Sequence, residues 1–419
     1  MNPKSLKDID CKNKRVVLRV AYDVPLVAKG RGFVVGDDTR IRATLSTIKH
    51  LLKNKCKIVI VTWLGRPGGV VVDKCKLDPV AKCLSALLKR PVKKLDDSAG
   101  PVIRDTIERM KPKDIILLEN VRFRKEEEKG DMKYGQLLAS YGDLVVFDAF
   151  PQAHRDVPST TGLLAQAKEV AVGFDMQEEV ARLGALLKKP KHPFVVVLGG
   201  AKISDKIETF RHLLSIADIF LIGGAMAHNF LKARGAKMSQ SLVEDQPVGT
   251  KGERIKILEV AEEILDSTKD VFFNLGPGLN VPKLVLPIDL VAASKIDAKA
   301  ETRVIGVNNS DSAPWNWTFL DIGPATVEYY AQILSHAKTV FWNGPMGYVE
   351  LEKFAVGTRG VAEAITKSSA ESILGGGDTE AIVRQFKLSK KITYVSTGGG
   401  ASLEFLAGNE FPVMKYLQV

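Results

Sequence analysis

Phe194 to Lys206 reads FVVVLGGAKISDK. Five apolar residues, three of them valine, run without a polar interruption, which fits a strand buried on both faces, as in a parallel sheet flanked by helices. The run ends at Gly199-Gly200, and Ala201 to Lys206 reads as the start of a helix. Strand, glycine turn and helix start in succession put free backbone N–H groups where a phosphate can approach closely. Lys202 and Lys206 lie four positions apart, so a helix already begun there would carry both ammonium groups on one face near its positive end. Two cations in that place need an anion. The plainer reading is a pair of exposed lysines balanced by Asp205.

The same pattern recurs toward the carboxyl end. Ile219–Ile222 runs into Gly223-Gly224, Ser372–Leu374 into Gly375-Gly376-Gly377, and Ile392–Val395 is followed by Gly398-Gly399-Gly400, with Val340–Trp342 as a further strand. One glycine pair after a strand is ordinary turn geometry, but repetition at four strand ends in one half favours a ligand, because open parallel sheets bind ligands there. Asp378 directly follows three glycines and reads either as an N-cap or as a carboxylate for magnesium on a nucleotide.

The first half has a similar rhythm with different ends. Strands at Arg15–Val20, Lys57–Val61, Ile115–Leu118 and Leu144–Phe147 alternate with amphipathic stretches such as Arg40–Asn54 and Asp78–Lys89, predicting a parallel α/β sheet. Glycine clusters are replaced by Arg40, Arg66, Arg122 and Arg155, whose forks suit phosphate and carboxylate oxygens. Any one of them alone reads as a solvated charge. Between the halves, Val180, Leu183, Leu186 and Leu187 give Met176–Lys189 helical spacing, and Lys188-Lys189-Pro190 closes it as a connecting helix. One half suits nucleotide phosphates and the other a small anion, with a cleft expected between them, which points to phosphoryl transfer.

Composition agrees with this reading. A length of 419 residues suggests two or three domains, and 45% hydrophobic with 26% charged residues excludes a disordered chain. Sixty basic against 49 acidic side chains leave a net charge of +11, which favours anionic partners: phosphorylated metabolites, acidic lipid or nucleic acid. The absence of an aromatic-rich basic motif argues against nucleic acid. Phe194–Ala201 and Ile219–Ala227 fall short of the roughly 18 to 20 apolar residues that cross a bilayer, and Met1–Arg15 lacks a leader pattern, so a soluble cytoplasmic protein is expected. Cys11, Cys56, Cys75 and Cys83 show no paired CxxC spacing, which fits a reducing compartment. Neither GxxxxGK[ST] nor GxGxxGxV occurs, and the histidines show no metal-ligand spacing.

Taken in order, RVVLRVAYDVP (15–25), LGRP (64–67), LLENVRF (117–123), DAFPQAHR (148–155), GGAKISDK (199–206), WNGPMG (342–347), GGGDT (375–379) and VSTGGGASL (395–403) resemble the phosphoglycerate kinase family over essentially the whole chain. The resemblance implies two Rossmann-like parallel-sheet domains: residues 1–175, with 405–419 packing back onto them, and residues 191–404, joined by a hinge helix at 176–190. It also implies a monomer. The implied reaction is reversible phosphoryl transfer between 1,3-bisphosphoglycerate with MgADP and 3-phosphoglycerate with MgATP, a carboxyl group being the acceptor. Carried over by motif, Asp23, Arg40, Arg66, Arg122 and Arg155 would contact the triose. Gly200, Lys202, Lys206, Gly224, Phe319, Asn343, Glu350, Gly376, Gly377, Asp378 and Thr379 would serve the nucleotide, with Asp378 on Mg2+, and Arg40 and Lys206 would stabilise the transferring group. Closure about the hinge is expected to exclude water and assemble the charges.

Departures from the family pattern cluster in the triose half. Ala21 stands for an aspartate, Asp23 for an asparagine, Trp63 for a histidine, and Pro151-Gln152 for Gly-Thr. Phe319 stands where many members have glycine beside the adenine. A carboxylate at Asp23 about 4 Å from an anionic substrate, at an effective dielectric of about 20, would repel it by roughly 4 kcal/mol before screening. The alternative expectation is therefore a nucleotide-binding homologue with impaired or lost kinase activity.

Overall fold

In the computed structural model, which describes residues 5–30, 32–247 and 255–417, the β-branched runs form two separate six-stranded parallel sheets. The first contains β1 (Arg15–Val20), β2 (Lys57–Val61), β3 (Lys93–Lys94), β4 (Ile115–Leu117), β5 (Leu144–Asp148) and β6 (Val170–Val172), in the spatial order β3-β4-β2-β1-β5-β6. Val16 of β1 lies beside Ile58 on one side and Leu144 on the other, so register follows from matching apolar runs. The second contains β7 (Phe194–Leu198), β8 (Ile219–Ile222), β9 (Leu284–Val285), β10 (Thr339–Asn343), β11 (Glu371–Gly375) and β12 (Tyr394–Val395), in the order β9-β8-β7-β10-β11-β12. Its direction of winding reverses between β7 and β10, where Leu198 pairs with Asn343 at the carboxyl ends. Ligands of doubly wound sheets bind at such a switch point.

Helices cover these sheets and bury their side chains. Val16, Leu18, Ile58 and Ile60 pack with Ile48, Leu51, Val80 and Leu84 in one core. Val195, Val197, Val340 and Trp342 pack with Tyr330, Ile333, Val361 and Ile365 in the other. The chain divides into two units, Met1–Leu183 with Asn409–Val419, and Gly184–Gly408. The division falls inside one helix, Phe174–Lys188, in the region expected to connect the halves. Near the carboxyl end, the ring of Phe411 packs 5.6 Å from that of Phe150 in the first unit.

Local structure departs from the sequence pattern in two places. The amphipathic stretch from Arg40 to Asn54 splits into Thr39–Ala43 and Leu45–Lys53, because the Thr44 hydroxyl donates to the Ile41 carbonyl at 3.0 Å and faces the Tyr22 hydroxyl at 2.6 Å. The second unit also carries a three-stranded antiparallel sheet, Asp289–Ala293, Thr302–Gly306 and Thr318–Ile322, inserted between parallel strands. Among the described residues no helix is long and apolar enough to cross a membrane.

Candidate functional site

Glycines following β7, β8, β10, β11 and β12 have two different jobs. A Cβ on Gly199 would meet the Pro345 carbonyl oxygen at 2.1 Å, and one on Gly224 would meet Gly200 backbone at 2.6 Å. These turns interlock backbone against backbone: the Gly200 N–H donates to Pro345 at 2.7 Å and the Gly224 N–H to Met346 at 2.9 Å. At Gly377 and Gly400 nothing lies within 4 Å of an added Cβ, and both open helices, Gly377–Gln385 and Gly400–Leu406. Packing explains the first group, whereas open space beside free helix N–H groups explains the second.

Lys206 lies in the middle of these turns. Its ammonium donates to the Gly199 carbonyl, and Cβ atoms on Gly200 and Gly344 would come within 3.1 and 2.6 Å of it. Burial lowers its pKa to about 8, while Asp205 and Asp378 pull in the opposite direction. Thr379 ties the turns after β10 and β11, its hydroxyl accepting from the Gly344 N–H at 2.7 Å, and Asn343 is buried beside Gly376. Gly376 has φ +93°, a backbone that side chains rarely adopt.

The helix expected from Ala201 begins only at Ile207, so Lys202 and Lys206 do not share a helix face. Glu244 prevents it: its carboxylate accepts from the Ile203 N–H at 2.6 Å and from the Ser204 N–H and hydroxyl, holding an open turn. Lys202 is exposed on that turn. Asp378 is not the N-cap, a position taken by Gly376; it is exposed in the first turn, where an acidic group suits the helix dipole. Glu350 is exposed in the loop beyond Gly347. Phe319 is 3% exposed, its ring 6.3 Å from that of His228, within the inserted antiparallel sheet.

In the first unit Arg66, Arg122 and Arg155 follow strand ends, whereas Arg40 lies in the helix Thr39–Ala43 and not in a loop. Hydrogen bonds join Arg40 and Arg122 through Asp23 and Gly65. Arg40 Nη1 donates to the Asp23 carbonyl at 2.7 Å, the Gly65 N–H donates to Asp23 Oδ1 at 2.9 Å, and Arg122 Nη1 donates to the Gly65 carbonyl at 2.7 Å. The Asp23 side chain is thereby committed to the loop that carries Arg66. Arg66 adds positive potential at Arg122, whose own pKa is lowered chiefly by burial. Asn120 fixes the frame by donating to the Leu64 and Cys75 carbonyls at 2.7 and 2.9 Å and accepting from the Arg122 N–H. Arg155 is exposed, its carbonyl accepting from the Thr160 hydroxyl at 2.7 Å, and no hydrogen bond among the described residues links it to Arg40, Arg66 or Arg122. Beside it Gln152 is buried, with neither end of its amide bonded.

Three contributors were not read from sequence: Glu244, Asn120 and the buried Arg19. Arg19 donates from Nε to the Ser159 carbonyl at 2.9 Å, and burial lowers its pKa to about 9. Arg19 and Asn120 lie inside the quoted stretches 15–25 and 117–123, where a polar residue in an apolar run was the available signal. Glu244 reaches its partners across a separation of about 40 residues, for which no local pattern exists.

Residues 6–409 match the family described as Phosphoglycerate kinase. The chain is 45% identical over 408 residues to a phosphoglycerate kinase of Moorella thermoacetica, covering 97% of each. It is 41% identical over 412 residues to one of Rubrobacter xylanophilus, covering 98% of this chain and 97% of the other. Among solved structures it is similar to phosphoglycerate kinase from Coxiella burnetii, with a TM-score of 0.83, 35% identity and coverage of 99% and 98%. It is also similar to that of Pyrococcus horikoshii, with a TM-score of 0.81, 32% identity and the same coverage.

Proposed function

This chain belongs to the phosphoglycerate kinase family, and we propose that it binds the triose on the arginine loops of its first unit and the nucleotide on the glycine turns of its second. Its reaction is reversible phosphoryl transfer between 1,3-bisphosphoglycerate with ADP and 3-phosphoglycerate with ATP, a step of glycolysis. The alternative, a homologue that keeps nucleotide but has lost the kinase activity, finds no support. Asp23 explains why its charge does not condemn the site: the carboxylate accepts from Gly65 rather than standing free, with Arg40 and Arg122 bonded to the same segment.

The observation that carries the assignment is Lys206, an ammonium held between the Gly199-Gly200 and Gly344 turns at the switch point of its sheet. The acceptor carboxylate of 3-phosphoglycerate has a pKa of roughly 4 and is ionised at neutral pH, so transfer needs no general base. A carboxylate oxygen forms the new bond to the γ-phosphorus while the bond to the β–γ bridging oxygen breaks and ADP leaves. Arg40, Arg66, Arg122 and Arg155 orient the triose, and Lys206 with Arg40 offsets charge on the phosphoryl oxygens. Lys202, Asn343, Gly376, Gly377 and Thr379 hold the phosphates, with Gly200 and Gly224 shaping the turns. Glu350 and Phe319 serve the nucleoside end.

No group of three or more His, Cys, Asp or Glu side chains that could hold a metal is found among the described residues, and a magnesium ion arriving with the nucleotide would be held by a single carboxylate of this chain. Asp378, one exposed carboxylate beside the phosphate turns, fits magnesium, which is commonly held by one or two carboxylates plus phosphates. The bound ion supplies positive charge to the phosphate oxygens. The helix Phe174–Lys188 is read as the hinge, and the protein as a cytoplasmic monomer, in keeping with four free cysteines.

Calorimetric titration with ADP and with 3-phosphoglycerate tests the division of labour. Arg40→Ala and Arg66→Ala weaken triose binding and spare ADP, while Lys202→Ala does the reverse. Arginine variants that lose ADP as severely as triose would overturn it.

A further inference from the structure

Trp63 stands where the resemblance places a histidine, and it is 2% exposed at the end of β2. Two guanidinium groups lie over its ring, Arg19 at 4.3 Å and Arg122 at 4.2 Å from the centroid. Arg122 raises the cost of the charge on Arg19, and burial pushes both toward the neutral form. Their acidic neighbours are unevenly placed. Glu127 acts on both arginines but spends both oxygens on the Ser159 hydroxyl and N–H at 2.6 and 3.0 Å, Asp23 acts on Arg122 while accepting from the Gly65 N–H, and Glu128 stays 3.9 Å from Arg122 Nε. The indole face attracts both cations without a proton or a counter-charge that would compete with an anionic ligand.

For Arg122 the contacts are complementary. The ring face holds the guanidinium carbon at 4.2 Å, and the Gly65 carbonyl, accepting from Nη1 at 2.7 Å, fixes one corner of the fork. The remaining N–H groups make no hydrogen bond among the described residues. A fork oriented this way is prepared to meet a carboxylate or phosphate with little rotamer entropy left to lose.

We infer that Trp63 is a positioning residue for triose binding, holding the Arg122 guanidinium for the anionic substrate, and that its indole emission reports occupancy of that site. This rests on the reading of Arg122 as a triose ligand.

Steady-state kinetics of the full chain with 3-phosphoglycerate and ATP, together with tryptophan emission during 3-phosphoglycerate titration, test it. Trp63→Leu, which fills the space without a π face, raises KM for 3-phosphoglycerate about tenfold and changes KM for ATP less than about twofold. Trp63→Phe restores KM to within about threefold of the wild type. The wild-type emission changes on addition of 3-phosphoglycerate, and the change disappears in Trp63→Phe although that variant still binds. If Arg122→Ala leaves KM for 3-phosphoglycerate unchanged, the underlying assignment of Arg122 fails. If Arg122→Ala raises it but Trp63→Leu does not, the inference about Trp63 alone is overturned. Should Trp63→Leu not fold, the emission change decides: a signal that survives in Trp63→Phe, or no signal in the wild type, overturns it.

Discussion

The carboxylate of Asp23 and the backbone N–H of Gly65 meet at 2.9 Å, which turns a charge expected to repel substrate into a clamp on the loop that carries Arg66. Asp23→Asn keeps an acceptor at that position and is expected to leave kcat/KM for 3-phosphoglycerate within about threefold of the wild type. Asp23→Ala frees the loop and lowers kcat/KM about tenfold, corresponding to roughly 1.4 kcal/mol. Steady-state kinetics of the two variants check this.

With Lys206 read as a nucleotide ligand, nucleotide binding is expected to depend on pH. Burial lowers its pKa to about 8 in the free protein, and a bound phosphate raises it again, so binding takes up a proton above that pH. The Kd for ADP is expected to rise about tenfold between pH 7 and pH 9, and to be nearly flat in Lys206→Arg, whose charge does not titrate in that range. Calorimetry at three pH values is sufficient.

The two groups of glycines should respond oppositely to alanine. Gly344 has φ +90° and an added Cβ would lie 2.3 Å from the Gly199 carbonyl oxygen, so Gly344→Ala destabilises the fold by about 2–4 kcal/mol. Gly377 has open space at a helix start, so Gly377→Ala leaves stability unchanged or raises it by up to about 1 kcal/mol, yet weakens ADP binding where the methyl group displaces phosphate. Urea unfolding and ADP titration separate these outcomes.

His228 supplies an acid-sensitive element away from the chemistry. It is buried, with Nδ1 3.0 Å from the Leu242 carbonyl, and burial lowers its pKa to about 4. Because the unfolded chain holds its proton more tightly, the full stability is present above the ordinary value near 6.5 and is lost progressively as pH falls toward 4. Between pH 7 and pH 5 the wild type loses about 2 kcal/mol through this residue, and His228→Gln does not. Denaturant unfolding at the two pH values reads the difference.

Strand ends were legible because their signals are local. The valine-rich runs, the glycine clusters behind them, and Arg66 and Arg122 in the other half lie within a few residues of the strands that position them, whereas Arg40 lies in the helix Thr39–Ala43. What the sequence concealed depends on distant partners. Glu244 holds the Ile203–Ser204 turn open across about 40 residues, and this moved the helix start past Lys202. Trp63 acquires meaning only with Arg19 and Arg122 over its ring. The three-stranded antiparallel sheet was missed because its edge strand Thr302–Gly306 buries only Ile305, leaving little apolar pattern to read. Phe319, buried in that sheet, was placed by motif alone.

Steady-state turnover of 3-phosphoglycerate with ATP, compared between the wild type and Lys206→Ala, bears most directly on the proposal that a lysine among the glycine turns of one unit and arginines of the other perform one phosphoryl transfer. The account predicts measurable turnover in the wild type and a fall of at least about 100-fold in the variant, with its fold intact by circular dichroism. Equal rates in the two proteins would contradict it.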